Sequence, residues 1–431
     1  MKKVIFYGIF SMFCLFLCAG CSSTDDSVVD SVPNIEFAPV EQEKDTTSID
    51  VYWDATYSMK GYTTIDQNNV YRYLPDDLDD IGNSMGEIKF FSFGKDIKPL
   101  EGREHRKFAN ANSYDETITA IHNVVEKSDT NHLSIIITDL FESDSDWSNV
   151  TKQLKEKYFS KHLSVAIIGI KNPFDGEIFD VGLNASKFNY NSGNDPQKFR
   201  PFYMFILGQD SDVKKFIQLW KNRYAKNNEI QYLVLSENLM DKSANLSNMD
   251  IVESENLFEE ENMDLPKEMK EYGIDSFDET TSLTTKLNYV ATDSGCAVDI
   301  NKLKPQIELW SLQDGQWQKN DNNGNVKCTF KSDESEPDNY LVNVTFTGDK
   351  TLVPNTVNLI HIGIKPDNTG LILPDWVKLW NLDNSMVGNN PNEFDGSKTI
   401  NFLHVVESLK DSVLSTAQPS LVNMNLVVQS K

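Results

Sequence analysis

Basic residues are scarce in this sequence. It has 40 Lys and Arg residues against 65 Asp and Glu residues, a formal net charge of −25 at pH 7, and no run of Lys or Arg. A chain of this charge repels phosphate groups, so nucleic acid and anionic membrane surfaces are excluded as binding partners. Hydrophobic residues still make up 39% of the sequence, which is enough for globular domains with buried cores.

Recognisable catalytic motifs are missing as well. The sequence contains no GxGxxG, GxxxxGK[ST], HExxH or GxSxG motif and no pair of CxxC motifs. These patterns are typical of nucleotide binding, zinc proteases, serine hydrolases and zinc sites. The six His residues are scattered without the spacing of metal ligands. We therefore expect a binding module and no enzyme, although the many carboxylates leave a glycosidase pair open.

The N-terminus has the pattern of an export signal. Residues 1–20 combine two Lys residues, a short apolar core and small residues before Cys21. The end of this segment resembles the lipobox of bacterial lipoproteins, with Cys18 where Leu is usual. The resemblance implies that Cys21 is lipidated and that the lipid is the only membrane contact; an ordinary cleaved signal is the alternative. Residues 22–26 resemble acidic surface-export tags, so we expect an anchor in the outer membrane or at the cell surface.

Cysteine is rare beyond this segment. Cys14 and Cys18 would leave with the signal and Cys21 would carry the lipid, so Cys296 and Cys328 are the two Cys residues left unmodified. In an exported protein such a pair is a candidate for a disulfide bond, which would stabilise the fold by about 3 kcal/mol. Two buried free thiols are the alternative.

Residues 47–236 alternate between strand-like apolar runs and amphipathic, helix-like segments. Runs such as LSIIITD and LSVAIIGI are apolar throughout, as in parallel strands covered on both faces. The pattern predicts an α/β domain with a doubly wound, mostly parallel sheet. Residues 21–46 precede it as an acidic tether.

Oxygen-bearing side chains follow two strands of the predicted sheet. SIDVYWD ends on Asp54, with Thr56 and Ser58 just beyond, and IIITD ends on Asp139. Open α/β sheets bind ligands outside the carboxyl ends of their strands. Side chains of this kind either cap the next helix or hold a hard cation.

Three segments resemble the motifs of von Willebrand factor A domains. DATYSMKG at 54–61 resembles the DxSxS motif, DETITAI at 115–121 the TNTGxAL helix opening, and ITDLFESD at 137–144 the TDG segment. The resemblance implies a metal-ion-dependent adhesion site that holds Mg²⁺, or alternatively Mn²⁺ or Ca²⁺.

The resemblance also implies which residues of this sequence would bind the metal ion, by their positions in the three motifs. Thr56 and Ser58 would bind the ion through their hydroxyls, and Asp54 and Asp139 directly or through water. In the second motif, the alignment places Asp115 where the family usually has Thr, with Ser113 and Thr117 close by. An Asp there is expected to tighten cation binding and to weaken the pull of the ion on an acidic ligand. A metal site that has decayed to a structural role is the alternative.

Two segments of the C-terminal half differ in composition from the α/β pattern before them. Residues 237–285 are rich in acidic and polar side chains and are predicted to be an acidic linker or insertion, with one short helix near 266–273. Residues 286–431 contain many short strand-like runs, separated by turn signals such as Asp314–Gly315. They predict an antiparallel, β-sandwich-like domain.

Together these features predict a cell-envelope lipoprotein that binds a partner protein, in the envelope or on the cell surface, through a divalent cation. Two alternatives stay open. The chain is an exported glycan-directed enzyme with its active site in the β-rich domain, or it is a structural assembly component without a metal. Paired carboxylates in a deep pocket of the β-rich domain would favour the enzyme, and an absent response to cations would favour the structural component.

Overall fold

A computed structural model describes most of the chain after residue 46. The described ranges are 47–141, 147–181, 186–237, 249–263, 265, 269–288, 295–336, 339–383, 394–416 and 421–429. The predicted signal peptide, the tether and Cys21 lie outside them. Within these ranges, no helix has the length and apolar character needed to cross a membrane.

The first half is built around one seven-stranded sheet. Its order is β3-β2-β1-β4-β8-β5-β9, and β6 and β7 form a separate hairpin. The strands are β1 (Thr47–Asp54), β2 (Gly86–Phe93), β3 (Ile97–Leu100), β4 (Leu133–Thr138), β5 (Ser164–Asn172), β6 (Asp175–Val181), β7 (Ser186–Asn191), β8 (Arg200–Gly208) and β9 (Ile230–Leu235). The helices are α1 (Val70–Met85), α2 (Ile121–Lys127), α3 (Trp147–Lys157) and α4 (Asp210–Arg223).

The prediction of a doubly wound, mostly parallel sheet is wrong. β1 is parallel to β2 and β4, but β8 is inserted between β4 and β5 and is antiparallel to both. β3 and β9 also run antiparallel to their neighbours, so the sheet is mixed. The reason is the connection between β5 and β8. Its described residues form the β6–β7 hairpin and a short 3₁₀ turn at Pro196–Lys198, with no α-helical crossover among them, so β8 runs in the opposite direction.

Both faces of this sheet are buried. On one face, Trp53, Tyr71, Phe202 and Trp220 belong to a core formed with α1 and α4. On the other face, side chains such as Tyr52 pack with α2 and α3. Burial on both faces explains why the central strands are apolar throughout and show no alternation.

The second half contains two larger sheets. One has the order β10-β13-β18-β17 and the other β11-β12-β23-β19-β15-β16. The strands are β10 (Asp250–Glu255), β11 (Leu257–Glu260), β12 (Lys270–Ile274), β13 (Thr280–Asn288), β14 (Ala297–Val298), β15 (Leu303–Gln313), β16 (Gln316–Asn320), β17 (Lys327–Ser332), β18 (Asn339–Thr347), β19 (Val357–Pro366), β20 (Leu371–Ile372), β21 (Asn381–Leu382), β22 (Thr399–Ile400) and β23 (Val422–Gln429). The helices are α5 (Gly348–Thr351), α6 (Asp375–Leu379) and α7 (Phe402–Thr416).

This half also departs from the predicted antiparallel architecture. β12 and β23 pair in parallel within the six-stranded sheet, which is therefore mixed. β10, β11, β12 and part of β13 come from residues 237–285, the segment predicted to be an acidic linker. The residues at 270–274, expected in a short helix, form the strand β12.

The two halves share one hydrophobic core. α7 packs against α3, and the ring of Phe402 stacks on Tyr203 of β8 with 4.6 Å between centroids. The hydroxyl of Tyr203 donates a hydrogen bond to Thr399 Oγ1 over 2.9 Å. β8 therefore links the first sheet to the segment before α7.

Candidate functional site

Two carboxylates lie side by side at one edge of the first sheet. β1 ends at Asp54, and Asp139 directly follows β4. The two strands are parallel neighbours in a register that pairs Trp53 with Ile137, so their carboxyl ends meet at the same edge. Asp54 is fully buried and Asp139 is 5% exposed.

Asp54 is held by three hydrogen bonds. Its Oδ1 accepts from the backbone N–H of Thr56 at 3.0 Å and from the Thr56 hydroxyl at 2.6 Å. Its Oδ2 accepts from the hydroxyl of Thr138 at 3.0 Å. Asp54 thus closes a local turn, but the side chain of Thr56 does not cap the 3₁₀ turn at 57–63. Helix capping, one of the two roles that the sequence left open, is therefore not the role of the Thr56 side chain.

Three hydroxyls complete the group. Thr56 Oγ1 and Ser58 Oγ lie 3.1 Å apart, and Ser58 donates a hydrogen bond to Asp139 Oδ1 at 3.2 Å. The hydroxyl of Thr119 donates to Thr56 Oγ1 at 3.3 Å. We call Asp54, Thr56, Ser58, Thr119 and Asp139 the oxygen cluster. It unites four of the five predicted metal ligands.

Asp115, the fifth predicted ligand, is not in this group. Its side chain is exposed, and no hydrogen bond among the described residues joins it to the oxygen cluster. The backbone of Glu116 pairs with Ala55 and Tyr57, which sets the register of the second loop. In that register Thr119 contacts the cluster. The segment DETITAI contains Thr119, but its resemblance to the TNTGxAL helix opening at 115–121 points to Asp115 as the ligand. In the structure the helix begins at Ile121.

Burial makes the two carboxylates costly to ionise. Burial, followed by the negative charge of Asp139, raises the pKa of Asp54 to about 8. Burial also raises the pKa of Asp139, against the opposing effect of the positive charge of Arg200. Within the described ranges, neither carboxylate has a Lys, Arg or His nitrogen at ion-pair distance. Buried carboxylates of this kind take up a proton or a cation.

Arg200 supplies a buried positive charge behind the cluster. It is 4% exposed, and its Nη1 donates to the backbone oxygens of Gly396 at 3.2 Å and Lys398 at 3.0 Å. Its Nε has no hydrogen-bond partner. None of the ion pairs between described residues includes Arg200. No sequence pattern points to Arg200, because the apolar runs do not predict β8 beside β4.

A cleft of about 440 Å³ opens over the hydroxyls of Thr56 and Ser58. Its other lining residues come from the second loop, from the residues after β4 and from the β6–β7 hairpin, and they are Tyr57, Glu116, Thr117, Phe141, Glu177, Phe179 and Lys187. The cluster is therefore reachable from one side.

The donor set of the oxygen cluster fits a hard cation. Mg²⁺ prefers oxygen ligands and keeps several waters. Here two carboxylates and three hydroxyls lie together, and Thr56 and Ser58 connect the group to the cleft. In the described part of the chain, no group of three or more His, Cys, Asp or Glu side chains is placed to hold a metal. The oxygen cluster has two such side chains, and its remaining donors are hydroxyls.

The two cysteines of the C-terminal half are free thiols in this structure, so the predicted disulfide is not formed there. Cys296 is buried in the shared core, and Cys328 is half-buried on β17. Burial raises the pKa of each thiol to about 12. Both thiols are thus weak nucleophiles at neutral pH.

No protein-family model matches this chain, and no curated protein matches it. The resemblance to von Willebrand factor A motifs stays a prediction, and support for a function comes from the geometry of the oxygen cluster.

Proposed function

We propose that this chain is a cell-envelope lipoprotein that binds a partner protein through a divalent cation held by the oxygen cluster. The observation that carries the proposal is the burial of Asp54 and Asp139 beside three hydroxyls, without a basic side chain at ion-pair distance among the described residues. Mg²⁺ is the cation that best fits these ligands, with Mn²⁺ and Ca²⁺ as alternatives.

The carboxylates and the hydroxyls of the oxygen cluster have different roles in this proposal. The carboxylates of Asp54 and Asp139 supply the charge that attracts the cation. The hydroxyls of Thr56, Ser58 and Thr119 are neutral donors, so they leave the ion with charge to offer to a further ligand. A bound divalent ion would offer an open position toward the cleft, where a carboxylate of the partner would bind.

The net charge of the loaded cation site favours an acidic partner. The sequence placed Asp115 at the ion, where a third carboxylate would repel such a ligand. In the structure that side chain is exposed and Arg200 is buried behind Asp139 instead. The charges of the two carboxylates balance those of the divalent ion, and the charge of Arg200 remains. At close range in a buried site, one unbalanced positive charge attracts a carboxylate strongly.

A structural role without a metal is the second candidate, and one observation favours it. The hydroxyls and carboxylates of the cluster already hydrogen-bond to one another. In that case, Asp54 would only hold the turn at Thr56.

Thermal unfolding of the full chain, with Mg²⁺, Mn²⁺, Ca²⁺ or EDTA, separates these two functions. A cation that binds the folded state stabilises it by about 2.7 kcal/mol at a hundredfold excess over its Kd. Asp54→Asn should abolish this gain and should leave the fold in EDTA at least as stable as the wild type, because the amide replaces a carboxyl group whose ionisation is opposed by burial. The matched control Asp115→Asn should respond to cations like the wild type. If no cation shifts the midpoint, or if Asp54→Asn only destabilises, the cluster is structural.

The anchor is a separate part of the proposal. Lipidation of Cys21 would hold the chain at a bacterial membrane, in the outer membrane or at the cell surface. Fractionation of cells that express Cys21→Ala tests it, since that variant should leave the membrane fraction or accumulate as a precursor. Unchanged partitioning and mass would contradict lipidation.

A further inference from the structure

The cleft over the oxygen cluster has a second wall, the β6–β7 hairpin. This hairpin lies tightly against the loop that carries Thr56 and Ser58. A Cβ atom on Gly61 would come within 2.4 Å of the Phe174 ring, and one on Gly176 within 2.9 Å of Gly61 Cα. The hydroxyl of Thr64 also donates to the backbone oxygen of Asp175 at 3.0 Å. The two glycines thus permit a direct backbone approach between the loop and the hairpin.

The opposite side of the hairpin is fixed by the C-terminal half. The rings of Phe188 and Phe394 pack with 4.6 Å between centroids. A Cβ atom on Gly396 would come within 2.4 Å of the Tyr190 ring, so this contact is also close. The hairpin is held from both sides, and we infer that the cleft is formed before any ligand arrives. A preformed cleft avoids the cost of ordering on binding.

The walls of this cleft are aromatic. Phe141 follows β4 and Phe179 lies on β6; both are half-buried, with 6.0 Å between ring centroids. Tyr57 lines the same cleft and is 46% exposed. Aromatic rings therefore surround the side from which a ligand would reach the cation.

The charged side chains at the mouth are paired with one another. Lys187 Nζ lies 3.5 Å from Glu177 and 4.9 Å from the centre of the Phe179 ring. Glu116 forms an ion pair with Lys98 at 2.5 Å. Each Glu and Lys among the described lining residues thus has an oppositely charged partner, and a loaded cation site with Arg200 would add one positive charge.

From this arrangement we propose that the ligand is an exposed protein segment in which an Asp or Glu is directly adjacent to an aromatic or large aliphatic residue. The carboxylate binds the cation, and the neighbouring side chain packs against Phe141 and Phe179. The inference rests on the proposed cation-dependent binding and adds the chemistry of the partner. An acidic glycan fits less well, because sugar hydroxyls need unpaired polar groups and the charged groups of this cleft are paired.

Dye-labelled peptides provide the test, with binding to the full chain followed by fluorescence anisotropy. The probe is Ac-Gly-Asp-Phe-Ser-Gly-NH₂, and the matched peptides replace its Phe by Gly or its Asp by Asn. In Mg²⁺ the probe should bind about tenfold more tightly than the peptide with Gly, which is the gain expected from burying much of one phenyl ring. Binding should be lost with the Asn peptide and in EDTA.

Variants of the protein locate the contact. Phe179→Ala should remove the preference for Phe over Gly while it retains the thermal shift with Mg²⁺ and the preference for Asp over Asn. Phe179→Leu should restore part of the preference. The control Tyr73→Ala changes an aromatic residue that is 64% exposed on α1 and should behave like the wild type.

The outcomes separate the two proposals. If Mg²⁺ stabilises the fold but the Phe and Gly peptides bind alike, or no peptide binds, the partner chemistry is wrong while cation binding stands. A preference for Phe that survives in Phe179→Ala would also overturn it. So would an acidic sugar such as glucuronate that displaces the probe at a lower concentration than free acetate does. If Mg²⁺ leaves the melting midpoint unchanged, the cation proposal fails and this inference fails with it.

Discussion

The hydroxyl of Thr119 donates a hydrogen bond to Thr56 Oγ1 over 3.3 Å, and this contact joins the second loop to the loop after β1. Both residues are buried, and Thr56 also lines the cleft. A neutral hydroxyl therefore occupies the place for which the sequence suggested the carboxylate of Asp115. This difference decides whether the bound cation keeps enough charge to attract an acidic ligand.

Thr119→Val should weaken cation binding. The substitution keeps the shape of the side chain and removes the hydroxyl, and loss of one hydrogen bond costs about 1 kcal/mol, or about fivefold in Kd. Calorimetric titration with Mg²⁺ measures this change. Asp115→Val, four residues earlier and exposed, is the control and should leave the Kd within twofold. If Asp115→Val raises the Kd for Mg²⁺ more than Thr119→Val does, Asp115 is a ligand of the cation, as the sequence suggested.

The stability of the metal-free protein should fall as pH rises. Asp54 has a pKa of about 8 in the fold but about 3.9 in an unfolded chain. Between these values the folded state binds a proton that the unfolded state lacks, so the free energy of unfolding decreases with pH by up to about 1.4 kcal/mol per unit. Mg²⁺ displaces the proton, so its stabilising effect should be larger at pH 8 than at pH 5.

Urea unfolding in EDTA and in Mg²⁺ at several pH values measures this dependence. Asp54→Asn should flatten the curve recorded in EDTA between pH 5 and pH 8. Equal slopes for the variant and the wild type would show that Asp54 does not titrate in this range.

Arg200→Met should separate cation binding from ligand binding. Without the guanidinium, the pKa of Asp139 rises further, yet a divalent ion meets less repulsion, so Mg²⁺ should bind more tightly. An acidic peptide should bind less tightly, because the unbalanced positive charge is lost. The fold should also lose about 1–3 kcal/mol for each of the two backbone oxygens, at Gly396 and Lys398, that is left unpaired.

Arg200→Lys is the matched variant for this prediction. It retains the charge and loses the guanidinium fork, so peptide binding should be closer to wild type than in Arg200→Met while the loss of stability remains. Titrations measure the affinities for Mg²⁺ and for the Phe-containing peptide. Urea unfolding measures the stability of each variant. Parallel changes in both affinities would contradict the assigned role of the charge.

The sequence predicted the strands of the first sheet better than their arrangement. β1, β4 and β5 lie where the apolar runs SIDVYWD, LSIIITD and LSVAIIGI indicated. Strands buried on both faces carry no alternation, however, so nothing in their residues specifies which strand pairs with which or in which direction. The β6–β7 hairpin decided the direction of β8, and its short polar strands gave no recognisable signal.

The acidic segment at 237–285 was misinterpreted for a related reason. Charged residues there were expected on a solvated linker, but Tyr272 and the carboxylate of Glu271 are buried in β12. Glu271 Oε2 accepts hydrogen bonds from the backbone N–H groups of Asn262 and Met263. Local composition could not show that a nearby backbone would satisfy this carboxylate.

The oxygen cluster was predictable where it depended on adjacent strand ends. Asp54 ends one parallel strand and Asp139 follows its neighbour, so both carboxylates lie at the carboxyl edge of the sheet, where the sequence predicted a ligand site. Thr119 and Arg200 were not predictable. The first depends on the register of an extended loop, and the second on a strand insertion that periodicity does not encode.

Both thiols of the C-terminal half should react slowly in the folded protein. Their pKa values near 12 leave little thiolate at pH 8, and Cys296 is buried as well. Iodoacetamide without reductant should label neither residue quickly in buffer and both in guanidinium, as followed by mass spectrometry. If labelling in guanidinium requires a reductant, Cys296 and Cys328 form the disulfide that the sequence suggested.

Gly61→Ala should disturb the hairpin without removing the cation ligands. The new methyl group would lie 2.4 Å from the Phe174 ring, so the ring and the hairpin that follows it must shift. Overpacking of this kind costs about 1–3 kcal/mol. We expect a lower melting midpoint, a retained shift with Mg²⁺, and a reduced preference for the Phe-containing peptide.

Two further variants make this result specific to the contact between the loop and the hairpin. Gly324→Ala, at a glycine with no atom within 4 Å of the added Cβ, should leave stability and peptide preference unchanged. In the double variant Gly61→Ala with Phe174→Leu, the smaller side chain makes room for the methyl group, so part of both losses should be recovered. If the double variant is instead additive, the close approach of Gly61 to Phe174 does not position the hairpin, and the aromatic wall of the cleft must be held by its contacts with Phe394 and Gly396 alone.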